Sequence, residues 1–199
     1  MIDLINLNNT QPYNIFNDFY EKALIKNQRS IEAVFISTFN ILDNEVDSRA
    51  VNLKYIMDDE WVFFSNYESK KAEDFNNHSQ ISAIFYWSSI NVQIRIKAKV
   101  RKSSREVSLN HYANRSPEKN ALAVSSNQSM KIDSYEEVID NYNKILLNSH
   151  LFSKLPDNWG GYSFTPYYFE FWQGHESRLN KRDEYKLSDG AWQHSFLQP

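Results

Sequence analysis

Cysteine is absent from this 199-residue chain, which removes disulfides, thiolate nucleophiles and cysteine-ligated zinc together. Glycine is scarce. With only four, the chain has no glycine-rich phosphate loop, and neither G-x-G-x-x-G nor a P-loop occurs. Any nucleotide-like ligand must therefore be held by side chains and by non-glycine backbone. No apolar run approaches membrane-spanning length, and the opening residues MIDLINLNNT lack the basic and apolar regions of a signal peptide, so a soluble cytoplasmic protein is expected. A basic excess is missing too: the net charge of −3 argues against a general nucleic-acid binder. The five histidines are scattered, no two at helical or strand spacing with a carboxylate partner, so no metal centre is expected. No G-x-S-x-G elbow presents a hydrolase nucleophile.

What the chain does have is apolar and aromatic mass. Aromatic residues make up 15% and hydrophobic residues 41%, enough at this length for one well-buried core. No repeat, linker or low-complexity segment divides it, so a single domain over residues 1–199 is expected, with residues 1–13 as a mobile arm. Residues 14–28 place Phe16, Phe19, Tyr20 and Ala23 on one face at helical spacing, and residues 31–40 and 81–87 read as strands. From Val92 to Arg101 the alternation is strict, with Val92, Ile94, Ile96, Ala98 and Val100 against Gln93, Arg95, Lys97, Lys99 and Arg101. That pattern predicts a long strand with a solvated basic face, on which Gln93 is the uncharged polar member suited to a ligand contact. Helix starts are marked at Ser69, at Ser103-x-x-Glu106, at Ser116-Pro117 and at Ser134-x-x-Glu137. The last third reads as strands Tyr162–Trp172 and Glu184–Phe196 around a polar turn. Many short strands, few helices and no βαβ alternation predict a mainly β fold with helical insertions (α+β), an antiparallel barrel.

One stretch carries a chemical signal. Ser48 to Lys71 holds two strand-like runs, Ala50–Ile56 and Trp61–Ser65, around the turn Met57-Asp58-Asp59-Glu60. Arg49 and Lys54 lie at its front, Lys70 and Lys71 at its back, and the Ser65 hydroxyl ends the second strand. A hairpin with basic ends and a hydroxyl can hold a phosphate. Arg49 and Lys54 are five residues apart, so on a regular strand they point to opposite faces. Joint use of both requires a bulge, a strand end or two parts of a ligand.

With its flanks, this stretch resembles the pyridoxamine 5'-phosphate oxidase family over nearly the whole chain. Arg49-x-x-x-Leu53-Lys54 resembles the family's R-x-V-L-L-K strand, and Phe64-Ser65-Asn66 with Ser69-Lys70-Lys71-Ala72 resembles Y-T-N…S-R-K-A. Gln93 stands where the family has a flavin-contacting glutamine, and Asn127-Gln128-Ser129 resembles K-Q-S. Trp159-Gly160-Gly161 and Glu170-Phe171-Trp172-Gln173-Gly174 match W-G-G and E-F-W-Q-G as they stand, and Arg178-Leu179-Asn180-Lys181-Arg182 resembles R-L-H-D-R. The resemblance implies an FMN-binding split β-barrel that forms a homodimer with the cofactor between subunits. It assigns FMN contacts to Arg49, Lys54, Phe64 and Ser65, to Lys70 and Lys71, to Gln93, Gln128 and Ser129, and to Trp172 and Arg182.

For substrate, the resemblance implies a phosphorylated small molecule held by Lys54, His111, Arg115 and Lys119, with Arg178 as the catalytic residue and Asn180 beside it over the reacting group. Three positions depart from the family: His111 replaces a tyrosine, Lys119 a serine and Asn180 a histidine. The phosphate subsite stays cationic, whereas asparagine cannot titrate near neutral pH. The implied activity is oxidation of pyridoxamine or pyridoxine 5'-phosphate. The alternatives are a related flavin oxidase of the phenazine-biosynthesis type and a non-catalytic FMN binder.

Overall fold

The alternating segment forms the strand its pattern predicts, β6 (Val92–Lys102), with Val92, Ile94, Ile96, Ala98 and Val100 all buried. The computed structural model describes all 199 residues. Its other strands are β1 (Asp3–Ile5), β2 (Ala33–Asn40), β3 (Glu45–Met57), β4 (Glu60–Asn66), β5 (Gln80–Trp87), β7 (Trp159–Gln173), β8 (Lys181–Ser188) and β9 (Ala191–Phe196). Five α-helices accompany them: α1 (Gln11–Ile25), α2 (Lys70–Asn77), α3 (Arg105–Ala113), α4 (Pro117–Ser125) and α5 (Tyr135–Leu146). No helix is long and apolar enough to cross a membrane.

Antiparallel pairing runs β3–β2–β5–β6–β7 and returns through β4, which pairs with both β7 and β3. Six strands thus close a ring. The ring is split because two of its strands change partners along their length. β3 pairs with β2 through Asn52 and with β4 from Leu53 onward, while β7 pairs with β4 as far as Phe164 and with β8 from Tyr168. This is the split barrel that the motifs imply.

Large side chains fill the ring. Trp61, Phe63, Phe85, Ile94, Phe164 and Phe169 are completely buried, each worth roughly 1.5–3 kcal/mol in burial. The helix predicted near residues 14–28 is α1, which lays Tyr13, Phe16 and Tyr20 on this core, with the Phe16 ring 4.5 Å from Trp61. A second, smaller cluster of Tyr112, Ala123, Leu155 and Trp159 ties α3 and α4 to the start of β7.

Several local expectations change. The opening residues are pinned rather than mobile: β1 pairs in parallel with Tyr55–Met57, and the buried Ile2 donates its backbone N–H to the Tyr20 hydroxyl at 2.8 Å. The cap of α3 is Ser104, which accepts from the Val107 N–H, one residue beyond the predicted Ser103. Ser69 precedes α2 but spends its hydroxyl on the Asn66 carbonyl instead of the helix amides. Ser134 caps α5 as predicted, accepting from the Glu137 N–H at 3.1 Å. The last predicted strand is two, β8 and β9, because Asp189 and Gly190 take left-handed conformations and turn the chain.

The glycines after Trp159 are required by contact. A Cβ on Gly160 would collide with the Tyr67 hydroxyl and the Ser108 Oγ. Gly160→Ala should therefore cost about 1–3 kcal/mol in urea unfolding. Because the Tyr67 hydroxyl is the main obstacle, the Gly160→Ala/Tyr67→Phe double variant should lose less than the sum of the two single changes.

Candidate active site

β3 bends where the site begins. Its register with β4 shifts between Leu53 and Tyr55, a bulge at Lys54. Arg49 and Lys54 line one cleft, between β3–β4 and the layer of α3 and α4, to which Ala50, Val51 and Asn52 also contribute. The cleft has a volume of about 780 Å³, within the range of small-molecule and cofactor sites. Six cations, Arg49, Lys54, Lys70, Lys71, Arg115 and Lys119, face it, against the single carboxylate of Asp47.

At one end, the end of β4 meets the start of α2 and the loop after α4. The Ser65 Oγ donates to the Gln128 Oε1 at 3.0 Å and accepts from the Lys71 Nζ at 2.8 Å. The ammonium also donates to the Ser69 Oγ at 2.8 Å. Lys71 is buried, with no carboxylate partner, and burial together with the nearby Arg49 charge lowers its pKa to about 8. A buried ammonium held only by hydroxyls is suited to an anion. Arg49 is fixed by the Thr38 hydroxyl at 2.7 Å and by Asp47 at 2.5 Å, with buried Asp74 3.8 Å away. Ser129 joins this end of the cleft in a left-handed conformation, while Lys70 is more exposed and 3.9 Å from Asp43.

At the other end, Lys54, His111, Arg115 and Lys119 come together from β3, α3, the loop after it and α4. The His111 ring stacks on Phe64 at 3.7 Å, and Phe64 stacks on Trp159 at 5.4 Å. The Arg115 guanidinium lies 4.3 Å above Trp159 and its pKa is lowered by burial. Burial, reinforced by Arg115, Lys54 and Lys119, pushes the His111 pKa down to about 4, so the imidazole is neutral.

Five of the residues singled out from the sequence do not line this cleft within one chain: Gln93, Trp172, Arg182, Arg178 and Asn180. Gln93, Trp172 and Arg182 instead form one row across β6, β7 and β8. Arg182 is held by Glu170, whose buried carboxylate also accepts from Arg95 at 2.8 Å and Tyr168 at 3.1 Å. Arg178 and Asn180 lie on the β7–β8 loop, Arg178 with a φ of 60° and Asn180 with its Oδ1 accepting from the His175 N–H at 3.0 Å. The cleft also contains residues not assigned from sequence. Asn66 and Trp159 sit inside recognised motifs, whereas Asp47, Asn52, Asn114 and Ser126 carried no local signal.

Comparison with known proteins gives one consistent family. The family profile described as pyridoxamine 5'-phosphate oxidase matches residues 22–146, and the one described as pyridoxine 5'-phosphate oxidase C-terminal dimerisation region matches residues 159–199. A pyridoxine/pyridoxamine 5'-phosphate oxidase of Hydrogenovibrio crunogenus is 33% identical over 193 residues, covering 96% of this chain and 89% of the relative. The Arabidopsis thaliana chloroplastic enzyme of that name is 34% identical over 201 residues, 96% of this chain and 37% of the longer relative. Among solved structures, Burkholderia lata PhzG, determined with tetrahydrophenazine-1-carboxylic acid, superposes with a TM-score of 0.87 at 23% identity, covering 95% of this chain and 93% of that one. At that identity it speaks for the fold.

The Lys71 environment predicts a pH dependence. Below its pKa of about 8 the ammonium is already charged, and a phosphate dianion binds without proton uptake. Above it, binding must first recharge Lys71, so affinity for a phosphate monoester should fall by up to about tenfold per pH unit. Titration from neutral to alkaline pH should show this slope in the native protein, and Lys71→Ala should bind more weakly and without it.

Proposed function

Because the chain belongs to the pyridoxamine 5'-phosphate oxidase family, we propose that it is an FMN-dependent oxidase converting pyridoxamine or pyridoxine 5'-phosphate to pyridoxal 5'-phosphate in the cytoplasm. Dioxygen is the acceptor and hydrogen peroxide is released. The observation that carries this reading is the charge of the cleft: six cations and one carboxylate, gathered at two ends, suit two phosphates. One phosphate belongs to the cofactor and the other to the substrate.

FMN fits the first end by the chemistry of its donors. Lys71, Arg49, Lys70 and the Ser65 and Ser129 hydroxyls supply charge-assisted and neutral hydrogen bonds, and the buried Lys71 has no protein anion to neutralise it. Gln128 sets the Ser65 hydroxyl, and Phe64 contributes an aromatic wall. When bound, FMN supplies the redox chemistry, taking two electrons from the substrate and returning them to dioxygen.

The chain's own work is binding and orientation. Lys54, Arg115 and Lys119, with His111, anchor the substrate phosphate and fix how far its ring enters the cleft. A second copy of the chain completes the site, bringing Gln93, Trp172 and Arg182 to the cofactor and Arg178 and Asn180 to the substrate. Three observations support this arrangement: none of these five residues lines the cleft, Gln93 and Trp172 are partly exposed, and residues 159–199 match a dimerisation region. Within that copy Glu170 orients Arg182. Asn180 braces its loop through His175, which leaves Arg178 as the cation placed over the reacting carbon.

The purified protein should be yellow, or become so with FMN. Anaerobic mixing with pyridoxamine 5'-phosphate should bleach the visible flavin absorbance; protein that binds FMN but bleaches with neither vitamer phosphate would remove the proposed substrate. The shared site is tested by mixing subunits. Arg115→Ala and Arg178→Ala should each be nearly inactive as pure dimers. An equal mixture should recover about a quarter of wild-type activity, since half of its dimers are mixed and each carries one intact site of two. No recovery would place both residues of each site on the same chain.

A further inference from the structure

Tyr55 and His111 meet at the substrate end of the cleft although 56 positions separate them in the chain, the tyrosine Oη lying 2.7 Å from the histidine Nδ1. The phenol has no other hydrogen-bond partner in the fold, and burial raises its pKa, so it keeps its proton. Nδ1 is the one protein acceptor within reach of that O–H, so donation to Nδ1 is the direction that leaves no phenolic proton without a protein partner, and a neutral imidazole that accepts there carries its own proton on Nε2. The ring is held in place: Phe64 stacks on it at 7° and the Tyr55 ring meets it edge-on at 86°. Nε2 has no protein partner, yet it is not among the enclosed polar atoms left unpaired, and the residue lines the cleft. Lys54, Arg115 and Lys119 surround it and help to keep it uncharged.

We propose that Tyr55 is a positioning residue that fixes His111 in its Nε2–H form, making the imidazole an uncharged hydrogen-bond donor to the phosphate held by Lys54, Arg115 and Lys119. This rests on reading that end of the cleft as the substrate-phosphate site. The division of labour is physical. Three cations already supply the charge that a dianion needs, and a fourth would have to be desolvated among its own kind. A neutral N–H adds direction without that cost. Without the phenol, the ring is free to present a lone pair to the anion.

The test combines a spectrum with kinetics on the FMN-loaded protein. With pyridoxal 5'-phosphate bound, and separately with inorganic phosphate, nitrogen-15 spectra at about pH 6 should show His111 neutral and protonated on Nε2. Tyr55→Phe should raise KM for pyridoxamine 5'-phosphate about tenfold and weaken inorganic phosphate binding by the same factor, leaving kcat unchanged. His111→Ala should behave alike, the double variant should be no worse, and His111→Gln, which keeps a neutral N–H, should retain most of the affinity. An Nδ1–H tautomer or an imidazolium in the bound protein, or a Tyr55→Phe variant that loses kcat with KM intact, would overturn the proposal. Absence of vitamer turnover in the wild type would instead remove the functional reading. In that case the tautomer and the phosphate affinities would still decide the role of the pair.

Discussion

β7 is the element on which the rest of the structure depends, because fifteen residues serve three neighbouring strands. Along one edge it pairs with β6; along the other it serves β4 first and β8 afterwards. The change of partner splits the ring, and it also separates the cleft from the row that holds Arg182. Trp159, at its start, backs the Phe64–His111 stack of the cleft, whereas Glu170 and Trp172, near its end, belong to the row that holds Arg182. A one-residue slip of this strand would turn each of its side chains to the opposite face of the sheet and move both sets at once. Gly160 and Gly161 protect the register, since the strand passes too close to Tyr67, Ser103 and Ser108 for any side chain.

The cleft is organised by an imbalance of charge that the fold does not correct internally. Lys71 is buried with only hydroxyl partners, Lys54 and Lys119 form no ion pair, and Arg115 leans on the face of Trp159. Such an arrangement is costly for an isolated chain, because desolvated cations repel one another and lack hydration. It is favourable for a protein whose ligands bring two phosphates. Burial first, and then the neighbouring cations Arg115, Lys54 and Lys119, keep His111 neutral. Arg182 shows the contrasting solution, with its charge matched inside the protein by Glu170 and its geometry fixed before any ligand arrives.

Periodicity made β6 and α1 legible, since each buries one face at a regular spacing, and the caps of α4 and α5 follow from short-range chemistry at Ser116-Pro117 and Ser134. β1 was not legible. Three residues carry no period, and the strand exists only because Tyr55–Met57 offers a free edge and Tyr20 a hydroxyl. The bulge at Lys54 was one of three ways to reconcile the five-residue spacing, beside a strand end or two parts of a ligand, and its position is set by the register between β3 and β4.

For the site, short motifs carried the Lys71 end of the cleft because its donors lie close together in the chain: Ser65, Ser69, Lys70 and Lys71 span seven residues. The sequence by itself determined that the protein has a cysteine-free β fold of this family and where it departs from the family at His111, Lys119 and Asn180. Only the tertiary structure decided what those departures face. Tyr55 is an unremarkable strand residue until β3 and α3 bring it to the His111 Nδ1, and Asn180 becomes a loop brace only through the His175 amide. Local sequence encodes what neighbours along the chain can do. Protonation states and hydrogen-bond roles depend on burial and on partners that folding brings together from far apart.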